Sequence, residues 1–177
     1  MPPKNILALL QGGDRRTIGH ANQVAALVAQ NPKLFAGLMK GLWSGDPPVR
    51  RRAADAAEKV TRNNRALLQP HKKELLGLLV EAEEQELRWH LAAMIPRLVL
   101  TARERQRAAF FLERYLEDRS SIVKTFALQG LADLAENEPS MRARVVETLR
   151  EAARSGTAAM RARSRKLLPR LERLETR

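Results

Sequence analysis

Residues 46–60 read Asp46-Pro47-Pro48-Val49-Arg50-Arg51-Arg52-Ala53-Ala54-Asp55-Ala56-Ala57-Glu58-Lys59-Val60. Aspartate is a common helix N-cap, and proline is well tolerated in the first turn of a helix. Apolar residues then follow at the helical spacing i, i+4, i+7, i+8 and i+11, at Val49, Ala53, Ala56, Ala57 and Val60. The pattern predicts an amphipathic helix whose apolar face is built from small side chains.

The same pattern returns three times further along the chain. Its apolar-then-basic start, Val49-Arg50, recurs at shifts of 38, 36 and 37 residues as Leu87-Arg88, Val123-Lys124 and Met160-Arg161. A weaker copy lies 32 residues earlier, where Asp14 takes the position of Asp46. A nearly constant period of this length is typical of a repeat architecture.

A second amphipathic segment precedes each of these helices. The segments are Leu7–Leu10, Pro32–Trp43, Pro70–Ala82, Ala102–Leu116 and Pro139–Ala153. Glycines and asparagines, which commonly end helices, lie at the breaks between segments. We therefore expect one domain over residues 1–177 made of five helix pairs, at about residues 4–30, 31–63, 66–100, 102–137 and 138–175.

The run from Asp46 to Arg50, followed by Ala53-Ala54 and Ala57, resembles the second-helix signature of HEAT repeats. The chain is similar in this respect to small bacterial proteins of that armadillo-like family. The resemblance covers nearly the whole chain and implies an all-α fold, a right-handed α-α superhelix (a solenoid) of about five helix pairs. Such repeats serve many roles, so the resemblance says little about function.

In the HEAT family, the turn aspartate and the helix arginine of successive repeats form a ladder. The resemblance implies a structural ladder here too, with basic members Arg50, Arg88, Lys124 and Arg161. Its acidic members would be Asp46 and Glu84. Ser120 and Thr157 take the acidic position in the last two repeats, where they can cap helices but carry no charge.

Composition limits where the protein works. There is no cysteine, which excludes disulfides and zinc–thiolate sites and favours a reducing cytoplasm. The longest apolar runs fall far short of the roughly 20 residues that a membrane-spanning helix needs, and the first apolar run is too short for a signal peptide. We expect a cytoplasmic protein that does not bind membranes and is a monomer.

The net charge of +12 favours a polyanionic partner such as nucleic acid. The charge is unevenly distributed, however. Residues 1–49, 50–73 and 139–177 carry +3, +6 and +7, whereas residues 74–138 carry −4. A nucleic-acid groove is expected to be basic throughout, and much of the C-terminal charge is explained by a solvated terminal repeat.

The resemblance implies that second helices line the concave face, where solenoids bind their ligands. Aligning the repeats places Trp89, His90 and Phe126 at positions expected to face solvent. With Arg51, Arg52 and Arg163 as a charged rim, these residues form the predicted partner-binding set. Two alternatives stay open: the aromatic side chains pack as ordinary core between helices, and the arginine run grips phosphates.

Catalytic motifs are scarce. The three histidines lie in different repeats, and no HExxH, GxSxG, GxGxxG or Walker motif occurs. We predict a non-catalytic binding or scaffold module for protein–protein interaction, without cofactor or metal. The alternative is binding to a DNA or RNA backbone. A more remote alternative is a HEAT-like DNA glycosylase, for which the candidate residues are Asp55, Trp89, His90 and Asp133.

Overall fold

A computed structural model describes residues 5–12 and 17–175 of the chain, and the regular secondary structure in these ranges is helical, without a β-strand. The all-α prediction is thereby confirmed. Asp14, which the repeat alignment places in the first repeat, lies outside the described residues. The chain divides into two compact units, residues 1–73 and 74–177.

Helix α3 organises the first unit. It packs against α1, α2 and the 3₁₀ segment Ile6–Leu10. The α-helices of this unit are α1 (Ala21–Gln30), α2 (Phe35–Met39) and α3 (Pro47–Asn63), and the 3₁₀ segments are Ile6–Leu10, Pro32–Leu34, Lys40–Trp43 and Arg65–His71. The small apolar face predicted for residues 46–60 is buried, with Ala53, Ala56 and Ala57 fully inaccessible to solvent.

The segment Pro32–Trp43, predicted as one helix, is a short α-helix flanked by two 3₁₀ turns. Its C-terminal turn lies very close to α3. A Cβ atom at Gly41 would stand 2.6 Å from the Cβ of Ala53 and 2.8 Å from a methyl group of Leu7. Only glycine allows this approach, which seats the turn on the alanine face of α3.

The second unit is built around α7, which contacts α5, α6, α8 and α9. Helix α9 also packs against α8. The α-helices that end in this unit are α4 (Lys72–Glu81), α5 (Gln85–Met94), α6 (Ala102–Tyr115), α7 (Ser121–Glu136), α8 (Pro139–Ser155) and α9 (Ala158–Glu175), and one 3₁₀ segment, Ile95–Arg97, extends α5. Helices α5, α7 and α9 are those predicted from the repeated apolar-then-basic pairs.

Gly130 brings α5 and α7 together. A Cβ atom at this position would lie 2.7 Å from the backbone oxygen of Ala92 and 3.0 Å from a methyl group of Leu112. The backbones of two second helices thus approach more closely than side chains would permit. This contact fixes the spacing of the layer on which the candidate site lies.

Side-chain capping differs among the repeats. The Ser120 hydroxyl accepts a hydrogen bond from the Val123 N–H at 3.4 Å, and the Thr157 hydroxyl accepts one from the Met160 N–H, also at 3.4 Å. Asp46 occupies the N-cap position of α3, yet its side chain makes no capping hydrogen bond. The two uncharged residues therefore cap as the repeat pattern predicts.

Among the described residues, no helix has both the length and the apolar character needed to cross a lipid bilayer.

Arg52 holds the N-terminal segment of the first unit against α3. Its side chain is buried, with 2% of its surface accessible. Its Nε donates to the Thr17 carbonyl at 3.2 Å, and its Nη1 donates to the carbonyls of Leu10 and Gly12 at 2.8 and 2.6 Å. One guanidinium therefore provides a hydrogen-bond donor to three backbone carbonyl oxygens.

We expect Arg52→Met to lower the free energy of unfolding by about 2–4 kcal/mol, because it leaves these carbonyls without their charged donor. Urea unfolding followed by circular dichroism measures the change. The matched control is the neighbouring Arg51→Met, which should cost less than about 1 kcal/mol since Arg51 is half-exposed. Equal losses of unfolding free energy in the two variants would show that the buried hydrogen bonds of Arg52 do not stabilise the first unit.

Candidate functional site

Three side chains from successive second helices form a continuous row. Trp89 on α5 and Phe126 on α7 have ring centroids 4.9 Å apart in a tilted arrangement. The guanidinium carbon of Arg163, on α9, lies 5.5 Å from the centroid of the Phe126 ring. This distance suits a cation–π contact. All three side chains are half-buried, so the row, which we call the aromatic row, is packed yet accessible.

An exposed isoleucine extends the aromatic row. Ile122 lies one helical turn before Phe126 on α7, and 56% of its surface is accessible. Positions 122, 126, 129 and 133 of α7 form its accessible stripe, whereas the residues between them are largely buried. An apolar patch thus occupies the accessible face where α5, α7 and α9 meet.

A polar network borders the patch. Arg163 Nη1 donates to Gln129 Oε1 at 2.8 Å, and Gln129 Nε2 donates to Asp133 Oδ1 at 2.8 Å. Asp133 also accepts a hydrogen bond from Arg170 at 2.7 Å. Because each group is held by its neighbour, Arg163 is fixed over the Phe126 ring in a defined orientation.

His90 and Arg52 do not face solvent as expected. His90 is 1% accessible, and its Nδ1–H donates to the backbone carbonyl of Glu86. Its ring stacks against Trp89, with centroids 3.4 Å apart. Arg52 is buried on backbone carbonyls of the first unit, as described above. His90 therefore packs in the core against Trp89, whereas Trp89 and Phe126 are half-buried.

The predicted site residues separate into two groups. The structure brings Trp89, His90, Phe126 and Arg163 together in the second unit. Arg51 and Arg52 belong to the first unit.

Three of the four basic residues of the predicted ladder share one role within their repeats. Arg50 donates to the Ser44 carbonyl, Arg88 to the Ala82 carbonyl at 2.8 Å and Arg161 to the Gly156 carbonyl at 2.7 Å. Each acceptor lies in the turn that joins the two helices of the repeat. Carbonyls at a helix end have no partner within the helix, so an arginine placed here satisfies them.

Arg88 also binds the following repeat. Its Nη1 donates to Asp118 Oδ2 at 2.7 Å, and its guanidinium carbon lies 5.4 Å from the centroid of the Tyr115 ring. The Tyr115 hydroxyl donates to the Leu79 carbonyl at 2.8 Å. We call Arg88, Tyr115 and Asp118 the repeat lock, since together they tie α4, α5, α6 and the α6–α7 turn to one another.

Two pKa values in the repeat lock are displaced. Burial raises the pKa of Asp118, but hydrogen bonds from the Ser120 N–H and from Arg88 outweigh it and hold that pKa below its ordinary value. Burial raises the pKa of the Tyr115 phenol well above its ordinary value. Asp118 is therefore an anion, and Tyr115 is a neutral donor, throughout the physiological range.

Asp118 and Tyr115 were not found by the sequence reasoning, which looked for the acidic ladder member at Ser120. A signal was present: an aspartate two residues before a serine N-cap accepts the N–H of that serine, here at 2.7 Å. The burial of Arg52 and His90 had a signal as well. Arg52 lies three residues after Val49, and His90 lies three residues after Leu87. Val49 and Leu87 are the apolar members of the apolar-then-basic pairs, so both residues lie at the edge of the buried stripe of their helix.

Lys124 departs from the other basic ladder members. Within the described part of the chain, its ammonium makes no hydrogen bond or ion pair, and the side chain lines a groove. A cluster of three or more histidine, aspartate or glutamate side chains able to hold a metal ion is not found among the described residues.

No family model matches the chain, and no curated protein shows a significant match.

The lowered pKa of Asp118 makes the repeat lock sensitive to acid. An ionised carboxylate stabilises the fold at neutral pH, and this contribution is lost as the pH falls through the lowered pKa of the folded state. We expect Asp118→Asn to reduce the free energy of unfolding by about 1–3 kcal/mol at pH 7, and we expect this difference to shrink as the pH falls below about 4 and through the lowered pKa of the folded state. Urea unfolding at several pH values tests this.

The matched control is Glu117→Gln, which removes the charge of an exposed neighbour. Its effect should be small at every pH. A constant difference between wild type and Asp118→Asn from neutral to acidic pH would contradict the role given to the carboxylate charge.

Proposed function

We propose that the chain is a non-catalytic binding module, a HEAT-like solenoid that acts as a cytoplasmic monomer and uses the face of α5, α7 and α9 to bind a protein partner. The observation that carries the proposal is the aromatic row. Trp89, Phe126 and Arg163 come from three successive repeats, contact one another and stay accessible.

The repeat arrangement supports the solenoid part of the proposal. Second helices α5, α7 and α9 contact one another in chain order, and first helices α6 and α8 pack against the second helix of the same repeat. The sequence period of 36–38 residues matches this arrangement. Stacking of successive pairs is how an α-solenoid buries the apolar stripe of each repeat.

The chemistry of the aromatic row suits protein recognition. Tryptophan and arginine are enriched among the residues that dominate binding energy at interfaces. Here both rings and the guanidinium are already held in contact, so less side-chain freedom is lost on binding. The matching partner surface would insert an apolar side chain beside Ile122 and Phe126 and place an acidic group near Arg163.

We expect Trp89→Ala, Phe126→Ala and Arg163→Glu each to weaken binding of a protein partner about tenfold or more, because each removes part of one contiguous anchor. Pull-downs from native extract, quantified by mass spectrometry, measure which proteins are lost. The matched control is Phe110→Ala, which removes a ring that is 54% accessible on α6.

The informative result is a protein retained by wild type and Phe110→Ala but lost by the three row variants. Circular dichroism must show that the variants are folded, and Arg163→Glu disturbs packing least since its side chain is at the rim. Folded row variants that keep every partner would refute the proposed face.

Nucleic-acid binding is the alternative, favoured by the net charge of +12 and by exposed Arg165 and Lys166 on α9. Several arginines, however, are engaged within the protein. Arg142, for example, donates to the carbonyls of Ala135 and Glu136 and to that of Leu174. Net charge therefore overstates the cationic surface available to phosphates.

Gel shifts with duplex and single-stranded DNA and RNA separate the two functions. Phosphate-driven binding falls steeply between about 50 and 200 mM salt. Under the protein-binding proposal we expect no shift at the lower salt concentration. A shift at about 50 mM that disappears at 200 mM, and that Arg165→Ala with Lys166→Ala abolishes, would favour the alternative.

A further inference from the structure

Two grooves occupy equivalent positions in successive repeats of the second unit. The first, of about 360 Å³, lies around the repeat lock of Arg88, Tyr115 and Asp118. The second, of about 840 Å³, lies one repeat later and is lined by the C-terminal end of α6 and by residues of α7, α8, the α8–α9 turn and the start of α9. Shifts of 36 or 37 residues convert much of one lining into the other. The larger groove is therefore the repeat-lock position of the last repeat.

Every member of the repeat lock is replaced by a smaller residue in the larger groove. Lys124 stands for Arg88, Ala152 for Tyr115 and Ser155 for Asp118. Thr148 likewise stands for Phe111. The last repeat thus lacks two aromatic rings and one carboxylate that close the same space one repeat earlier. Their loss accounts for the greater volume of the groove.

The floor of the larger groove is apolar and its wall carries a cation. Leu128 and Ala152 are buried at the floor, and Leu116 and Met160 are half-buried beside them. Lys124 lies at the position from which Arg88 reaches Asp118. A carboxylate in the equivalent place would take the ammonium of Lys124 as its partner.

The acidic groups of the lining are already engaged. Glu151 accepts hydrogen bonds from Arg154 and from the Ser155 hydroxyl, both at 2.6 Å. Glu147 lies 3.8 Å from Arg150 and 3.6 Å from Arg154. Their partners Arg150 and Arg154 lie outside the groove lining, and among the described residues neither glutamate forms an ion pair with Lys124.

We infer that the groove beside Lys124 binds a small aromatic carboxylate, whose ring takes the space of the missing Tyr115 and Phe111 equivalents and whose carboxylate pairs with Lys124. The volume of about 840 Å³ lies in the range of small-molecule sites. The site shares no residue with the aromatic row and does not depend on the proposed protein-binding function. The chain itself supplies the template, since the preceding repeat fills this space with a phenol ring and a carboxylate.

The test is a titration of the whole ¹⁵N-labelled protein with 4-hydroxyphenylacetate, followed by NMR. We expect saturable shifts centred on Lys124, Leu128, Ala152 and Met160, with a dissociation constant on the order of 1 mM for so small a probe. The neutral analogue 4-hydroxyphenethyl alcohol and acetate alone each lack half of the proposed contacts. Both should bind at least about tenfold more weakly.

Two variants separate the charge from the cavity. Lys124→Met should weaken binding about tenfold, whereas Lys166→Met, which removes an exposed lysine outside the groove, should leave it unchanged. Ala152→Tyr restores the ring of the repeat lock and should abolish binding. If Ala152→Tyr does not fold, Thr148→Phe at the rim serves the same purpose.

Three results would overturn the inference. They are an absence of shifts at the groove at about 10 mM probe, equal binding of the neutral analogue, and full affinity in Lys124→Met or in the folded ring-restoring variant. None of these outcomes bears on Trp89, Phe126 or Arg163, so the proposed protein-binding function is judged separately.

Discussion

The hydrogen bond from a second-helix arginine to a carbonyl of the preceding turn recurs at Arg50, Arg88 and Arg161. It solves a problem that every helix pair has, since the last carbonyls of the first helix have no partner within that helix. The guanidinium is planar, permanently charged and rich in donors, so it satisfies such carbonyls while its stem packs along the next helix. The bond ties each of these three turns to the second helix that follows it. In the repeat of α7 the basic residue is Lys124, and among the described residues its ammonium makes no such bond.

Differences at this basic position, and in the residues around it, distinguish the grooves of successive repeats. At Arg88 the guanidinium reaches on to Asp118 beneath the ring of Tyr115, and the groove between repeats is small. At Lys124 the charge remains, but the ring and the carboxylate are missing, and the groove is wide. An ammonium is a single point of charge, whereas a guanidinium can serve a carbonyl and a carboxylate together. The proposed ligand site therefore lies where the interactions of Arg88 with Tyr115 and Asp118 have no equivalent in the following repeat.

The candidate face was predicted in part. Repeat alignment selected Trp89, Phe126 and Arg163, and these side chains do meet across three helices. The same alignment also selected His90 and Arg52, which are buried. A column of aligned positions gives the rotation of a helix only to within about one residue, which separates the accessible edge of an amphipathic helix from its buried edge. Asp118 escaped notice because a turn residue lies outside the helical period on which the alignment rests.

The sequence by itself determined the second helices α3, α5, α7 and α9, their 36–38-residue period and the basic residue near the start of each, because these follow from local spacing, capping and propensity. It also indicated the all-α class. Only the tertiary structure decided which charged side chains bind other groups of the protein and which line a groove. Arg52 belongs to the first kind, since it donates hydrogen bonds to three backbone carbonyls, and Lys124 belongs to the second. The physical reason is that a charge becomes structural or functional through the atoms that face it, and those atoms come from residues about 30–40 positions away in the chain.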